Sequence, residues 1–171
     1  RIVLDANIYT MNNRAEAFWM KKGILGDTVP LELNAKELVH RNNKNSELTV
    51  YGYTPMMVSV QCVQKTMDHC NHACVQYVLK DRYQKEFRGV CSCEFCYNTI
   101  YNTLPTSLLK ENEKAEKLGV KAYRLSFTIE TQQETEKIVR AFVDVYLRGQ
   151  KPDGQMQTEE TTKGHFQRGV E

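Results

Sequence analysis

Short apolar runs alternate with polar, helix-like stretches along this chain of 171 residues. The apolar or alternating runs predict strands at 2–4, 28–33, 47–53 and 122–128. The stretches between and after them predict helices at about 13–22, 35–42, 107–118 and 132–148. Asn12 or Asn13, Asn34 and Thr131 are the expected helix N-caps, and Thr131 forms a capping box with Glu134. Strands and helices that alternate with short links are typical of parallel α/β units.

The sequence therefore predicts an α/β fold over residues 1–150, followed by a C-terminal tail at 151–171. The sequence contains four parallel β/α units, which are expected to form either the second half of a TIM-type barrel or a small open sheet. Half a barrel has two free sheet edges. The chain also opens RIVLD, without an initiator Met. We therefore expect the N-terminal half of the barrel to belong to a missing part of a longer protein.

The regular alternation stops between the third and fourth predicted strands, where residues 54–104 form an insertion. The segment QYVLKDRYQKEFRGV predicts a β-hairpin that turns near Asp81–Gln84. All six cysteines lie within 62–96. A barrel has its chemistry on the loops that follow its strands, so a cysteine-rich β-hairpin insertion lies where function is expected.

Net charge, apolar runs and cysteine content indicate which classes of protein this chain could belong to. A net charge of +2 argues neither for nor against a nucleic-acid partner, and no apolar run is long enough for a membrane span. We expect a cytoplasmic protein without membrane contact. Six cysteines are too few for a disulfide scaffold, and disulfides that staple a fold are usually spread along it. Bunched cysteines favour a zinc or iron–sulfur site.

Cysteine spacing points to a site without defining it. Cys93-x-x-Cys96 is a good half-site, and Cys62 with Cys70 is expected to provide the other half. The alternatives are Cys74 and Cys91, with His40, His69 and His72 as further zinc ligands. The metal could also serve only to hold the insertion together, because structural metals stabilise small domains by roughly 10–16 kcal/mol.

Charged residues at the ends of strands are further candidates. Glu47, Arg124, Glu130 and His165 are candidate catalytic residues. An inward-facing Arg124 is expected to bind an acidic small molecule such as a dicarboxylate, or to pair internally with Glu47 or Glu32. No G-x-S-x-G or H-E-x-x-H motif supports proteolysis.

Several separated blocks of the sequence resemble one family. ELTVYGYTPMMVSVQC, LKDRYQKEF, CEFCYNTIYN and YRLSFTIE occur in this order between about Glu47 and Glu130. Together they resemble the collagenase-like peptidase family U-thirty-two, in the branch related to ribosomal-RNA hydroxylation. The terminal KGHFQRGV is similar to the end of that family's conserved region.

The resemblance implies a barrel-type catalytic domain with a four-iron-four-sulfur cluster. The matching blocks imply that the cluster ligands are Cys62, Cys70, Cys93 and Cys96. Cys74 and Cys91 have no counterpart in the family pattern. The family's implied roles are hydroxylation of RNA pyrimidines, with prephenate as a metabolite, or an anaerobic hydroxylation in quinone synthesis. A peptide substrate is implied by its reported collagen degradation, for which no catalytic residue is assigned.

RNA modification requires a positive surface and groups on which bases stack. The candidate RNA-binding residues are Lys80, Arg82, Tyr83, Lys85 and Arg88 on the hairpin, with His165, Phe166 and Arg168 on the tail. A solvated hairpin and a solvated terminus are the structural alternatives. Our working hypothesis is an iron–sulfur-dependent RNA pyrimidine hydroxylation enzyme. A collagenase-like peptidase and a zinc-stabilised binding module are the alternatives.

Overall fold

The computed structural model describes residues 2–68, 70–153 and 160–170. In chain order the strands are β1 (Val3–Leu4), β2 (Gly26–Thr28), β3 (Ser46–Gly52), β4 (Pro55–Ser59), β5 (Gln76–Lys80), β6 (Glu86–Ser92), β7 (Tyr97–Tyr101), β8 (Thr106–Ser107) and β9 (Ala122–Ser126). The α-helices are α1 (Asn13–Lys21), α2 (Ala35–Leu38), α3 (Val63–Thr66), α4 (Asn112–Lys117) and α5 (Gln132–Tyr146). The fold is mixed α/β, as predicted, with two sheets, and the described strands do not close into a barrel.

The first sheet is built mainly from parallel strands. β1 pairs with β2, and β3 pairs with both β2 and β9, all in parallel, while the short β8 runs antiparallel to the end of β3. The bounds predicted for the second strand, 28–33, were wrong, because β2 ends at Thr28. The Val29 N–H still donates to the Glu47 carbonyl at 2.9 Å, but Pro30 has no N–H with which to continue the ladder.

The predicted starts of three helices, α1, α2 and α5, are confirmed. The Asn12 side chain accepts hydrogen bonds from the first turn of α1, and Asn34 and Thr131 form complete capping boxes at α2 and α5. No helix in the described part of the chain is long and apolar enough to cross a membrane.

Two predicted helices are shorter than expected. The stretch 35–42 is helical only to Leu38, because Asn43 donates to the Leu38 carbonyl at 2.8 Å and Arg41 turns inward to Asp27. The predicted helix 107–118 is an α-helix only as α4. Ser107 belongs to β8, and a 3-10 turn precedes the helix.

One face of the parallel sheet packs against the helices. Leu48 and Val50 of β3 meet Phe142 and Val145 of α5 in one buried cluster. Phe166 of the tail joins the same cluster and is only 6% exposed. Phe166 thus anchors the tail to the sheet, while His165, Gln167 and Arg168 beside it are exposed; residues 154–159 and 171 of that tail lie outside the described residues.

The insertion forms a second, antiparallel sheet in the order β4-β7-β6-β5. The predicted hairpin is confirmed as β5 and β6. Its turn is held by the Asp81 carboxylate, which accepts from the N–H groups of Tyr83 and Lys85 at 2.7 and 2.9 Å. Strands β4 and β7, which complete the sheet, were not predicted.

Candidate thiol centre and strand-end cleft

The antiparallel sheet places the cysteines at one of its ends. Cys91 lies in β6, and Cys93 and Cys96 lie in the turn that joins β6 to β7. Cys62 immediately precedes α3, which follows β4. The remaining pair, Cys70 and Cys74, lies in the loop between α3 and β5, and all six cysteines are free thiols.

Three sulfur atoms form a row. The Sγ atoms of Cys62 and Cys91 are 3.6 Å apart, and those of Cys91 and Cys93 are 3.4 Å apart. Cys93 also donates to the carbonyl of Ala73 at 2.8 Å, which ties the Cys70–Cys74 loop to the sheet. We call Cys62, Cys91 and Cys93 the thiol row.

The thiol row overlaps only in part with the predicted ligand set. It contains Cys62 and Cys93 from that set and the alternate Cys91. Cys70, Cys74 and Cys96 are exposed, and the Cys96 thiol donates to the Cys93 carbonyl at 3.7 Å. Both sulfur–sulfur contacts involve Cys91, and among the described residues no three His, Cys, Asp or Glu side chains are grouped so that they could hold a metal ion.

No contact joins the thiol row to the predicted zinc ligands His40 and His72, the two that lie within the described residues. His40 accepts through its backbone carbonyl from Asn13 at the α1–α2 region. His72 is exposed in the Cys70–Cys74 loop, where its φ is 56°. His69 lies outside the described residues.

Strand alternation explains why the thiols meet. Cys91 pairs with Asn98 of β7, and Gly89 pairs with both Ile100 of β7 and Tyr77 of β5, so these side chains share one face. Helix α3 lies over this face, with Cys62 at its start. A cavity of about 260 Å³ between α3 and the sheet has a mixed lining of apolar residues and of the polar residues Ser59, Gln61, Thr66, Tyr77 and Asn98.

The thiols differ in acidity. Burial raises the pKa of Cys91 to about 12, and the neighbouring Cys93 and Cys62 thiols act in the same direction. A hydrogen bond from the Lys65 backbone lowers the pKa of Cys62. Cys62 therefore ionises before Cys91, and the Cys91 S–H can then donate to the Cys62 thiolate.

Three buried polar atoms around this end of the sheet have no hydrogen-bond partner in the described part of the chain: Gln64 Oε1, Tyr77 Oη and Asn98 Oδ1. The Asn98 amide is oriented by its own Nδ2, which donates to the Gln61 carbonyl at 2.9 Å. Buried polar groups in folded proteins are nearly always paired.

A second candidate site lies at the carboxyl ends of the parallel strands. A cleft of about 490 Å³ is lined by residues that follow β1, β3 and β9, among them Asp5, Thr54 and Thr128. Seven of its sixteen lining residues carry hydroxyl groups, which suits a polar ligand. Gly52, with φ 153°, lies so close to β9 that a Cβ there would come within 2.7 Å of the Ser126 carbonyl oxygen.

Arg124 lies between this cleft and a shallower one of about 470 Å³ on the helix-free face of the sheet. Its guanidinium donates to Asp5 at 3.0 Å, to Glu47 at 3.1 Å and to the Thr28 hydroxyl at 3.1 Å. The expected ion pair with Glu47 is confirmed. Asp5, which the sequence did not single out, completes the cluster.

The other two catalytic candidates have local structural contacts. Glu130 accepts from the N–H groups of Thr128 and Ile129 at 2.7 and 3.0 Å, which closes the turn before α5. The His165 Nδ1 is 2.9 Å from the Gly169 carbonyl oxygen in the C-terminal turn.

The predicted RNA-binding residues occupy three separate places. Lys80, Arg82 and Tyr83 lie at the hairpin tip, where Arg82 stacks on the exposed Tyr83 ring at 4.7 Å. Arg88 faces α5, where it assists the Thr131 N–H and hydroxyl in lowering the pKa of Glu134. Arg168 is exposed in the tail. Strand β6 separates the tip from the thiol row by about 20 Å.

Sequence reasoning missed Tyr77, Gly89 and Asn98 as neighbours of the thiols. Alternation within QYVLK places Tyr77 and Leu79 on one face, which is a usable signal. Their register against Cys91 depends on the pairing of three strands. Searches of protein-family models, of curated proteins and of solved structures each found no match to this chain.

Proposed function

We propose that this chain is part of an iron–sulfur-dependent enzyme that hydroxylates pyrimidines in RNA. The observation that carries the proposal is the convergence of Cys62, Cys91 and Cys93 from two segments that are about thirty residues apart in sequence. The resemblance of the sequence blocks to the U-thirty-two family supplies the reaction class. The prephenate implied by that resemblance is a small acidic metabolite.

The donor chemistry fits such a centre. Thiolates are the usual ligands of iron–sulfur clusters and of zinc. In the proposal Cys62, Cys91 and Cys93 supply three thiolates once they have moved around a common centre, and Cys96, in the same turn as Cys93, or Cys70, in the adjoining loop, supplies the fourth. The unpaired Tyr77 hydroxyl is a donor of the type that hydrogen-bonds to cluster sulfur. When bound, an iron–sulfur cluster provides one-electron transfer.

The parallel sheet supports a barrel. Parallel sheets are almost always covered on both faces, but here Thr28, Glu47 and Arg124 open onto the helix-free cleft. The strands β1, β2, β3 and β9 are neighbours in chain order, as consecutive strands of a TIM-type barrel are. In the proposal this polar face lines the barrel interior, and strands of a longer protein complete it.

In the proposal the cleft at the strand ends and the hairpin tip bind different reactants. The hydroxyl-rich cleft at the strand ends receives the small polar reactant, with Arg124 as its one cation on the floor. The exposed Tyr83 and Arg82 at the hairpin tip contact RNA by stacking and charge. An RNA-binding site at the hairpin tip, about 20 Å from the thiol row, suits a long polymer substrate.

The test begins with anaerobic purification and assay of iron and acid-labile sulfide. We expect equal amounts of both, with loss in Cys62→Ser and Cys93→Ser and retention in the control Cys74→Ser. Cys70→Ser, Cys91→Ser and Cys96→Ser identify the remaining ligands. RNA incubated with loaded protein should contain pyrimidines with one additional oxygen atom by mass spectrometry. Protein that takes up neither iron nor sulfide contradicts the proposal.

One observation favours zinc instead. Four thiolates around one zinc at 2.3 Å are about 3.8 Å from one another. The sulfur separations of 3.6 and 3.4 Å are close to that value, whereas cluster thiolates bind different iron atoms and lie farther apart. Colourless protein with one zinc per chain and no iron would therefore support a zinc-stabilised binding module.

A further inference from the structure

The thiol row contains two pairs of sulfur atoms that lie close to bonding distance. The Sγ atoms are 3.6 Å apart in the Cys62–Cys91 pair and 3.4 Å apart in the Cys91–Cys93 pair. Because a disulfide bond is about 2.0 Å long, each pair needs to approach by only about 1.5 Å. Rotation of the cysteine side chains between staggered rotamers can supply a movement of this size.

The backbone around Cys62 is held beside Cys91. The Asn98 Nδ2 donates to the carbonyl of Gln61, the residue before Cys62, at 2.9 Å. Asn98 of β7 is directly opposite Cys91 of β6, and the Cys91 N–H donates to the Val75 carbonyl at 2.9 Å. The start of α3 and the end of β6 are therefore tied to each other through Asn98, independently of the sulfur atoms.

The Cys62–Cys91 pair is better suited to a stable disulfide than the Cys91–Cys93 pair. Only Ser92 separates Cys91 from Cys93, and two residues of extended chain span about 6.6–6.8 Å, the upper limit of Cα separations in disulfides. Strained disulfides are the more easily reduced. Cys62 and Cys91 are 29 residues apart in sequence, so a bond between them also restricts the unfolded chain more strongly.

Access to solvent differs along the thiol row. Cys91 is fully buried, Cys62 is 8% exposed, and Cys93 is half-buried. A dissolved reagent therefore reaches Cys93 before the other two. Cys91 lies between Cys93 and Cys62, in contact with both sulfur atoms.

We propose that the thiol row is a thiol–disulfide exchange site, at which a low-molecular-weight disulfide reacts with Cys93 and oxidises Cys62 and Cys91 to a reversible disulfide. The proposal goes beyond the proposed function and does not depend on it, because the exchange uses the sulfur atoms alone.

The exchange takes place in three steps. The Cys93 sulfur attacks a disulfide R–S–S–R, which forms Cys93–S–S–R and releases one R–SH. The Cys91 sulfur then attacks that of Cys93 and releases the second R–SH. Finally the Cys62 sulfur attacks that of Cys91, which forms the Cys62–Cys91 disulfide and returns Cys93 to a thiol. In sum, two protein thiols lose two electrons and two protons, and R–S–S–R gains them as two R–SH.

The test uses the full chain after treatment with a chelator and a reducing dithiol. The protein is incubated with defined mixtures of oxidised and reduced glutathione, remaining thiols are alkylated at successive times, and disulfides are identified by peptide mass mapping. The variants are Cys62→Ser and Cys93→Ser, and the control is Cys74→Ser, which removes an exposed thiol outside the thiol row. Circular dichroism of the reduced proteins confirms that the variants are folded.

We expect the Cys62–Cys91 disulfide to exceed every pairing with the three exposed cysteines by about tenfold or more. Cys93→Ser should slow its formation by about tenfold without changing the amount at equilibrium, because the accessible thiol is lost and the buried pair is kept. Cys62→Ser should retain glutathione or a Cys91–Cys93 bond instead, and Cys74→Ser should match wild type. Oxidised wild type should melt about 10 °C higher than the reduced protein, and a dithiol should reverse this shift.

Two outcomes overturn the proposal. Disulfides distributed evenly over the six cysteines would show that the thiol row has no preference in exchange. Wild type that retains glutathione on Cys93, with Cys62 and Cys91 still reduced, would show that oxidation does not pass inward. Both outcomes leave the iron and sulfide assay of the proposed function untouched, and a failure of that assay leaves the exchange untouched.

Discussion

The two sheets differ in whether their buried polar atoms have hydrogen-bond partners. In the parallel sheet, the buried Asp27 carboxylate accepts from Thr10, Arg41 and Ser46. In the antiparallel sheet and α3, by contrast, Tyr77 Oη, Asn98 Oδ1 and Gln64 Oε1 are unpaired. They are three of the four such atoms among the described residues.

Exposed apolar side chains occur in both units, among them Phe18 and Leu147 in the parallel unit. Strand β4 and its flank expose Met56, Val58 and Val60, the last to 86%. The helix side of the parallel sheet has a closed cluster around Val50 and Phe142. On that side the parallel unit therefore buries its apolar core within its own helices and strands. In the antiparallel unit the exposed residues named above lie on or beside the edge strand β4.

Breaking the Asp27–Arg41 pair should have the largest effect on stability. Asp27→Ala leaves the Arg41 charge buried with 2% of its side chain exposed, and we expect a loss of about 3–5 kcal/mol in the free energy of unfolding. Urea denaturation measures this value. The control is Asp144→Ala, which removes the more exposed pair with Arg148 and should cost about 0.5 kcal/mol or less. Equal losses in the two variants would contradict the difference in burial.

Loading the thiol row should stabilise the antiparallel sheet selectively. A group bound at a hundredfold excess over its dissociation constant contributes about 2.7 kcal/mol. Hydrogen exchange of the iron-loaded and metal-free protein should therefore show new protection at Cys91 and Asn98. The amide of Val50 serves as the internal control, and a uniform change across both sheets would argue against a local centre.

Local sequence patterns predicted much of the parallel unit. The caps at Asn12, Asn34 and Thr131 depend on side chains and N–H groups within three residues, so the sequence alone contains the interaction. The bounds of β2 and α2 depend instead on Pro30 and on the distant pair of Asp27 with Arg41. Such long-range contacts override local propensity.

The candidate site was predictable only in part. The cysteine-rich window was visible because its thiols are bunched in sequence. Which thiols meet depends on the register of β6 against β7 and on the path of α3, and a shift of one residue would turn Cys91 to the opposite face. The Arg124–Glu47 pair was foreseen from alternation, whereas Asp5 reaches it from 119 residues away.

The hairpin tip offers a test of the RNA contact proposed for the antiparallel sheet. Tyr83→Ala should weaken binding of a single-stranded RNA oligonucleotide by about 1–3 kcal/mol, the range for loss of one stacked base. Fluorescence anisotropy measures the affinity. Tyr9→Ala removes an aromatic ring that is 53% exposed near the parallel sheet and should leave the affinity unchanged. Similar losses in both variants would indicate non-specific contact.

The smallest effect is expected at Glu111, where the tail joins the parallel unit. Burial opposes ionisation, but hydrogen bonds from Lys114 and Lys163 lower the Glu111 pKa overall. A carboxyl whose folded pKa is depressed contributes stability above its unfolded value, near 4.5, and loses that contribution as the pH falls through the folded pKa. Both lysines are about half-exposed, which limits the size of the effect. Urea midpoints should therefore show Glu111→Gln less stable than wild type at pH 6, with the difference shrinking as the pH falls below about 4.5 and through the depressed folded pKa. A gap that persists at low pH would mean that Glu111 acts through packing, and the tail would then be held to the parallel unit by Phe166 rather than by charge.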